Sequence, residues 1–272
     1  MKYTTVLLTA TIVLGSFSTL SVTADSNQMG RQVSQISAKS TVVNKSTYQS
    51  VSKFKKNVSS TTITWSGKNV TLTANTSERE NVPTFERTVI DSIVLTQGEK
   101  TYTLETDNYE DKLLDITSVA ASESNSWLAI QAHRSSGNTL ILMDLKTGKT
   151  TNLNDRLLEE GKKNIETVSS YNWSPKSEQI AFAFGDTEKS SLAIYNPNDD
   201  TFVYLPRATN YISTGIILWQ KNGTILDYIC EYPSDNMILY RYNLESKKVK
   251  PVKKISKNEF KEWFKLDKYP TK

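Results

Sequence analysis

Short runs in which apolar and polar residues alternate, separated by polar turns, fill the chain from about Thr61 to Val252. The run YNWSPKSEQIAFAF, residues 171 to 184, sets the pattern: an aromatic strand stops at Ser174-Pro175, a polar turn follows, and an alternating apolar strand restarts. Alternation at period two puts successive side chains on opposite faces of a strand, so this run predicts a hairpin. The hairpin recurs. ASESNSWLAIQA (121 to 132) aligns with WSPKSEQIAFAF (173 to 184) at an offset of 52, pairing Ser122 with Ser174, Leu128 with Ile180 and Ile130 with Phe182. The same offset aligns TLILMDLKTGKTTNL (139 to 153) with SLAIYNPNDDTFVYL (191 to 205), pairing Leu140 with Leu192 and Leu142 with Ile194. A third copy has slightly shorter spacing: Trp219 answers Trp173, and ILYRYNLESKKVKPV (238 to 252) answers LAIYNPNDDTFVYLP. A fainter copy, SIVLTQGEKTYTL (92 to 104), precedes them, and TTITWSGKNVTLTA (61 to 74) is a further hairpin around Ser66-Gly67-Lys68-Asn69.

Each unit reads as four short strands with polar turns, the shape of a propeller blade at a period in the blade range. A lone blade cannot bury both of its faces, and stacked blades can. The predicted fold is all-β: a β-propeller-like array of about four blades of antiparallel strands over residues 61–253, with Ile180, Phe182, Leu192 and Ile194 sharing one sheet face. Four units can close as a small ring or stay an open array.

The repeated W-S-P-x-x-x-x-I-A-F, the following L-x-I-Y or L-x-L-M-D-L strand, the T-G-K turn and the closing T-x-L resemble the TolB-type and related WD-like propeller repeats. The resemblance spans about residues 90 to 253 and implies the fold, with little specificity for activity. The chain departs from that pattern at Lys176-Ser177, where the family turn usually carries Asp-Gly, and in its four units where family propellers typically have six.

Both termini differ from the body. Residues 254–272 predict a short C-terminal amphipathic helix: Ser256 stands three before Glu259 as a capping box, Ile255 and Phe260 have the spacing of a hydrophobic staple, and Phe260, Trp263 and Phe264 fall on one face. That helix is expected to cover an open sheet face or edge. Residues 25–60 are rich in Ser, Asn, Gln, Thr and Lys and predict a flexible lead-in. Residues 1–24, MKYTTVLLTATIVLGSFSTLSVTA, have a short cationic start, an uncharged apolar middle and a small-residue end, which predicts a signal peptide cleaved after Ala24. The protein is therefore expected to be secreted or associated with the cell envelope.

Charge is segregated. The formal net charge is +4, yet residues 25 to 65 carry six Lys or Arg against one acid, residues 66 to 239 carry fifteen against twenty-four, and residues 240 to 272 carry eleven against four. Basic ends on an exported chain suit anionic envelope surfaces, with Lys257, Lys261, Lys265 and Lys268 as the tether candidates on the helix; solvated charge that aids solubility is the competing reading. Nothing in the pattern points to nucleic acid.

Catalytic chemistry is poorly provided for. No G-x-S-x-G, HExxH, CxxC, P-loop or G-x-G-x-x-G occurs, and one histidine, His133, and one cysteine, Cys230, leave no convincing triad and exclude metal sites built on His or Cys. No catalytic or cofactor-binding residue is assigned. Calcium is the one ion in view, with Asp107, Asp111, Asp199 and Asp200 as oxygen-bearing candidates, but the spaced EF-hand pattern is absent and turn chemistry alone accounts for Asp199 and Asp200. The function expected is an exported bacterial binding or interaction module for a peptide, glycan or cell-wall component, with a protein or wall polymer as partner. The alternative is a propeller hydrolase or lyase that acts on extracellular polysaccharide through carboxylates.

Overall fold

The structure is a computed structural model that describes residues 44–49, 54–106, 109, 111–207, 213–231 and 237–266. The expected leader 1–24, Asp107 and Lys268 lie outside the described residues.

Among the described residues, four antiparallel sheets follow one another in chain order. The first holds β1 (Lys55–Val58), β2 (Thr62–Gly67), β3 (Val70–Glu78), β4 (Thr88–Gln97) and β5 (Lys100–Glu105), in that order. The second holds β6 (Asp115–Ala121), β7 (Trp127–Arg134), β8 (Gly137–Asp144) and β9 (Thr150–Asn152). The third holds β10 (Thr167–Trp173), β11 (Ile180–Gly185), β12 (Ser190–Asn196) and β13 (Thr201–Tyr204). The fourth holds β14 (Ser213–Trp219), β15 (Ile225–Glu231), β16 (Met237–Asn243) and β17 (Lys248–Ile255). Each sheet is a simple meander. The all-β, propeller-like array of four blades read from the repeat is what the chain forms.

The offset of 52 carries β6 onto β10 residue for residue, so the repeat is structural as well as sequential. A bulged residue recurs near the start of each leading strand, at Thr117, Ser169 and Gly215, and kinks that strand in all three repeats. The two N-terminal hairpins do not form separate blades. They merge with β1 into the one five-stranded first sheet, whose β2–β3 turn uses positive φ at Lys68 (48°) and Asn69 (60°), the geometry that matches the twist of a two-residue hairpin.

Register corrects the expected faces. Ile180 and Phe182 oppose Tyr195 and Ala193 and pack toward the second sheet, whereas Leu192 and Ile194 oppose Ala183 and Ala181 on the other face, the one from which Ser190 bonds Thr214 of the fourth sheet. In the second sheet Leu128 and Ile130 join the cluster with the first sheet, and Leu140 and Leu142 join the cluster with the third. Alternation along each strand was legible, but which residue of the neighbouring strand it faces depends on turn length, and a one-residue change inverts the answer. All eight are buried because an interior sheet is covered on both faces.

Two tryptophans tie consecutive sheets together. Trp173 Nε1 donates to Ala120 O at 3.0 Å, and Trp219 Nε1 donates to Asn172 O at 3.0 Å. Ala120 and Asn172 are themselves equivalent at the 52-residue offset, so one bond is used twice. Asn172 adds an Nδ2 bond to Ile217 O (2.8 Å), and Gln131 adds one to Val168 O (2.7 Å).

The ends of the array are unlike. Away from the second sheet, the first presents Thr62, Thr64, Ser66, Thr71, Thr73, Asn75, Thr96, Thr101 and Thr103, opposite in alternation to buried Ile63, Trp65, Leu72, Ile93 and Leu95. The far face of the fourth sheet is apolar instead, with Ile216, Leu218, Ile229 and Leu239, and it is covered by Tyr48 and by Trp263 of the C-terminal helix. That helix, Lys257–Phe264, shows the expected capping box between Ser256 and Glu259. Phe264 departs from the expected apolar face and is 38% exposed, while Trp263 is buried.

Part of the segment expected to be flexible is ordered. Within 25–60, β1 pairs with β2, Phe54 is buried in the first sheet's cluster, and Tyr48 is buried on the fourth sheet, where it also bridges Gln220. The composition of the segment hid two anchors, Tyr48 and Phe54, each of which finds a ready apolar face. A second helix, α1 (Leu153–Glu159), was not read from the sequence; Asn152 caps it, and Leu153 and Leu157 fill the space between the second and third sheets. The C-terminal helix is α2.

Under Tyr48 lies a buried ion pair. Asp227, fully buried, accepts two bonds from Arg241 at 2.8 Å, one from Tyr48 Oη at 2.5 Å and one from Gln220 Nε2 at 3.3 Å. Burial, reinforced by the Asp227 carboxylate beside it, pushes the Tyr48 hydroxyl well above its ordinary range, so it stays protonated and donating.

Three substitutions test this packing. Phe182→Ala should lower unfolding stability by about 3 to 5 kcal/mol in chemical denaturation, as other large core deletions do; a loss below about 1 kcal/mol would show the inter-sheet register to be wrong. Arg241→Ala should cost about 3 to 5 kcal/mol because it strands a buried carboxylate, and denaturation measured beside the Tyr48→Phe variant should rank Arg241→Ala as the more damaging.

Candidate functional site

A cleft of about 450 Å³ opens where the first and second sheets meet. Its floor is apolar: Val89 and Ile90 from β4 and Leu114 from the segment leading into β6, all buried. Its walls are charged and polar: Arg79 beyond β3, Glu86 in a 3-10 turn (Thr84–Glu86), Asp91 in β4, Asp111 and Lys112 between β5 and β6, and Ser135 at the β7–β8 tip. Backbone bonds hold the walls in place. Ile90 N donates to Leu113 O (2.8 Å) and Leu114 N to His133 O (2.8 Å), so residues 113–114 bridge β4 to β7, while Arg79 N donates to Arg87 O (2.7 Å).

Asp91 owes its position to a bulge. β3 residues Asn75 and Thr76 pair with Ser92 and Ile90, which leaves Asp91 as the extra residue in β4. Bulges re-aim a side chain in this way, and nothing in the alternation of TVIDSIVLTQ announces it. Its Oδ1 accepts from Ser77 Oγ at 2.9 Å.

Of the calcium candidates among the described residues, Asp111 is the one that lines this cleft. Its oxygens are engaged by Ser135 Oγ (2.6 Å), Ser136 N (3.1 Å) and Ser136 Oγ. Partial burial works to raise its pKa, but the bonds from Ser135 and Ser136 and the Arg134 guanidinium outweigh it and hold the carboxyl below its ordinary range. Asp111 is thus a fixed anion that braces the β7–β8 tip. Nearby, Asp155 of α1 moves the other way: burial and the Glu159 charge push its pKa up against the opposing pull of Arg134. Tyr109 is partly buried, and that burial, with the Asp155 charge beside it, pushes its pKa up to about 12.

The serine and carboxylate contacts do not make a nucleophilic relay. The His133 ring meets Asn138 Oδ1 through Nδ1 at 3.1 Å rather than either serine, so no imidazole stands between Asp111 and a hydroxyl. Cys230 is buried beside Thr214, in agreement with its apolar setting in the sequence.

The other predicted ligands lie elsewhere. Asp200, in the β12–β13 turn, accepts from Arg156 Nε (3.1 Å) and Nη2 (3.0 Å) and from Tyr195 Oη (2.7 Å), while Asp199 accepts from Asn196. With Asn198 accepting from Trp127 Nε1 at 3.2 Å, that turn docks the third sheet onto the second. Asp111, Asp199 and Asp200 are not brought together, and among the described residues no group of three or more His, Cys, Asp or Glu is arranged to hold a metal. Lys257, Lys261 and Lys265 stand exposed along α2, with Lys265 bonded to Glu262 at 2.6 Å.

Sequence reasoning missed the cleft. Arg79, Glu86, Asp91 and Lys112 form no motif; they meet only because a bulge, a 3-10 turn and a connecting segment converge on one sheet junction.

No protein-family model matches the chain, and no curated protein matches it. Among solved structures, a protein described as TolB from Agrobacterium tumefaciens is similar over 76% of this chain and 82% of its own, at 9% identity and a TM-score of 0.40. An acylaminoacyl peptidase from Pyrococcus horikoshii is similar over 78% of this chain at 13% identity and a TM-score of 0.43, and a puromycin hydrolase over 74% at 13% and 0.38. The chain spans only 34% and 29% of those two enzymes.

One pH effect follows from Asp111. Its folded pKa lies below the ordinary value of about 3.9, so its bonds stabilise the fold above about pH 4 and are lost as pH falls through the depressed value. Thermal melts should therefore show a shallower acid-side decline for Asp111→Asn than for the parent; parallel declines would contradict the assignment.

What defines the chain is its own architecture: four antiparallel sheets packed in sequence through repeated leading strands, an all-β protein of propeller-like fold.

Proposed function

We propose that this protein is an exported, non-catalytic binding module whose ligand is a short peptide segment seated in the cleft between the first and second sheets. The observation that carries the reading is the lining itself. Cationic Arg79 and Lys112 and anionic Glu86, Asp91 and Asp111 surround an apolar floor, a combination that meets a peptide's charged groups and its side chains at once. A neutral glycan would use fewer of these charges. The leader read in residues 1–24 supports export, and the propeller-like frame supports a site at its loops.

A second reading, hydrolysis or lysis through carboxylates, draws on the opposite pKa directions of Asp155 and Asp111 around Arg134. It requires both carboxylates to face one substrate.

The test is a fluorescence-anisotropy screen of short peptides carrying both charge signs, run beside neutral oligosaccharides, with peptide and sugar products followed by mass spectrometry. Peptide binding weakened about tenfold or more by Arg79→Ala or Asp91→Ala, which corresponds to about 1.4 kcal/mol, is the expected result. Binding untouched by both variants, or oligosaccharides bound in place of peptides, overturns the peptide assignment; cleaved products that vanish in Asp155→Asn establish the second reading instead. N-terminal sequencing of the secreted form should begin at Asp25.

A further inference from the structure

We propose that the outward side of α2, together with the exposed lysines of β17 beside it, docks a linear phosphate-bearing polyanion. The surface is separate from the cleft and does not rest on the peptide reading. Residues 245–266 contain eight lysines against three glutamates. Register places Lys248, Lys250 and Lys253 of β17 opposite Asn243, Arg241 and Leu239. On the helix, Lys257, Lys261 and Lys265 recur every fourth residue and are exposed, which spaces them about 6 Å apart along the axis.

The neighbouring charges leave this surface positive. Glu259 pairs with Lys253 (2.7 Å) and Glu262 with Lys265 (2.6 Å), each pair cancelling one lysine charge, and the eight lysines still outnumber the three glutamates. Arg241 is committed to Asp227, and Lys45 lies over the Trp263 ring at 5.5 Å. Glu245 is exposed in the β16–β17 turn.

The aromatic side chains decide between a polymer and a bilayer. A helix that lies in a membrane interface buries its apolar side in lipid. In α2 that side is already occupied: Trp263 is buried on the sheet, and Phe260 stands over Gly215, where an added Cβ would come within 2.9 Å of its ring. Phe264 alone is turned outward. What the helix turns to solvent is a row of exposed lysines at regular intervals, with Lys265 also paired to Glu262, and such point charges suit a chain that repeats its phosphates. Charge at the surface acts within a Debye length, so the attraction is removed by salt.

The experiment uses the full-length exported protein and long-chain inorganic polyphosphate as the probe, with retention measured from about 0.01 M to about 1 M salt, across which the Debye length falls from about 30 Å to about 3 Å. The expected result is binding at low salt that falls steeply with salt and weakens tenfold or more in the Lys257→Gln/Lys261→Gln/Lys265→Gln variant. Should that variant misfold, Lys248→Gln/Lys250→Gln on β17 reads out the same surface. Peptide binding in the cleft should be unchanged in both. Three outcomes overturn the proposal: no retention of polyphosphate at low salt, retention that survives the lysine variants in folded protein, or capture by phosphatidylglycerol vesicles with none by polyphosphate.

Discussion

A single hydrogen bond, repeated, governs this architecture: the indole N–H at the end of a leading strand reaches the backbone carbonyl of the leading strand before it. Trp173 meets Ala120 and Trp219 meets Asn172, at equivalent positions one repeat apart. Each such bond is worth only about 0.5 to 1.5 kcal/mol net. Its importance lies in direction. The indole is a large apolar plate with one donor, so it fills the gap between sheets and also fixes which atom of the next strand lies against it. Once the leading strands are registered, Leu128, Ile130, Phe182 and Leu192 have only to be apolar and of fitting size to complete the interior.

The two outermost sheets solve the problem of having one neighbour fewer. The first makes its unpaired face hydrophilic, with Thr and Ser alternating against a buried Ile, Trp and Leu face. The fourth keeps an apolar face and covers it with Tyr48, brought from before the first sheet, and Trp263, brought from beyond β17. The Tyr48 hydroxyl closes over Asp227 and Arg241, and a buried ion pair of that kind adds little stability over an apolar replacement. It also gives the covering segment a specific partner, since Tyr48 Oη donates to the Asp227 carboxylate.

Much of the fold could be read from residues alone because the repeat is ungapped between the second and third sheets and because alternation, polar turns and the Ser256–Glu259 capping box are local signals. Faces could not be assigned, since the partner of Ile180 is set by turn geometry and turned out to be Tyr195 rather than a residue that places Leu192 beside it. The polar composition of residues 25–60 concealed Tyr48 and Phe54, single anchors whose partners lie far off in sequence. The cleft was illegible for a related reason. Asp91 reaches it through a bulge, and Glu86 through a 3-10 turn, neither of which leaves a spacing to recognise. Asp111 stood out by residue type alone; that its oxygens brace the Ser135-Ser136 turn depends on a contact 24 to 25 residues away, which no local spacing announces.

The hydroxyl-lined face of the first sheet has a consequence for assembly. Stacked repeats invite head-to-tail growth, because a sheet that accepts a neighbour on one side tends to offer a matching side to the next copy, and such contacts build open filaments. Here one terminus of the stack is threonine-rich and the other is a helix studded with lysine. Pressing them together would desolvate ammonium and hydroxyl groups and bury almost no apolar surface. The mismatch leaves the two ends of the array without complementary faces through which one copy could extend the next.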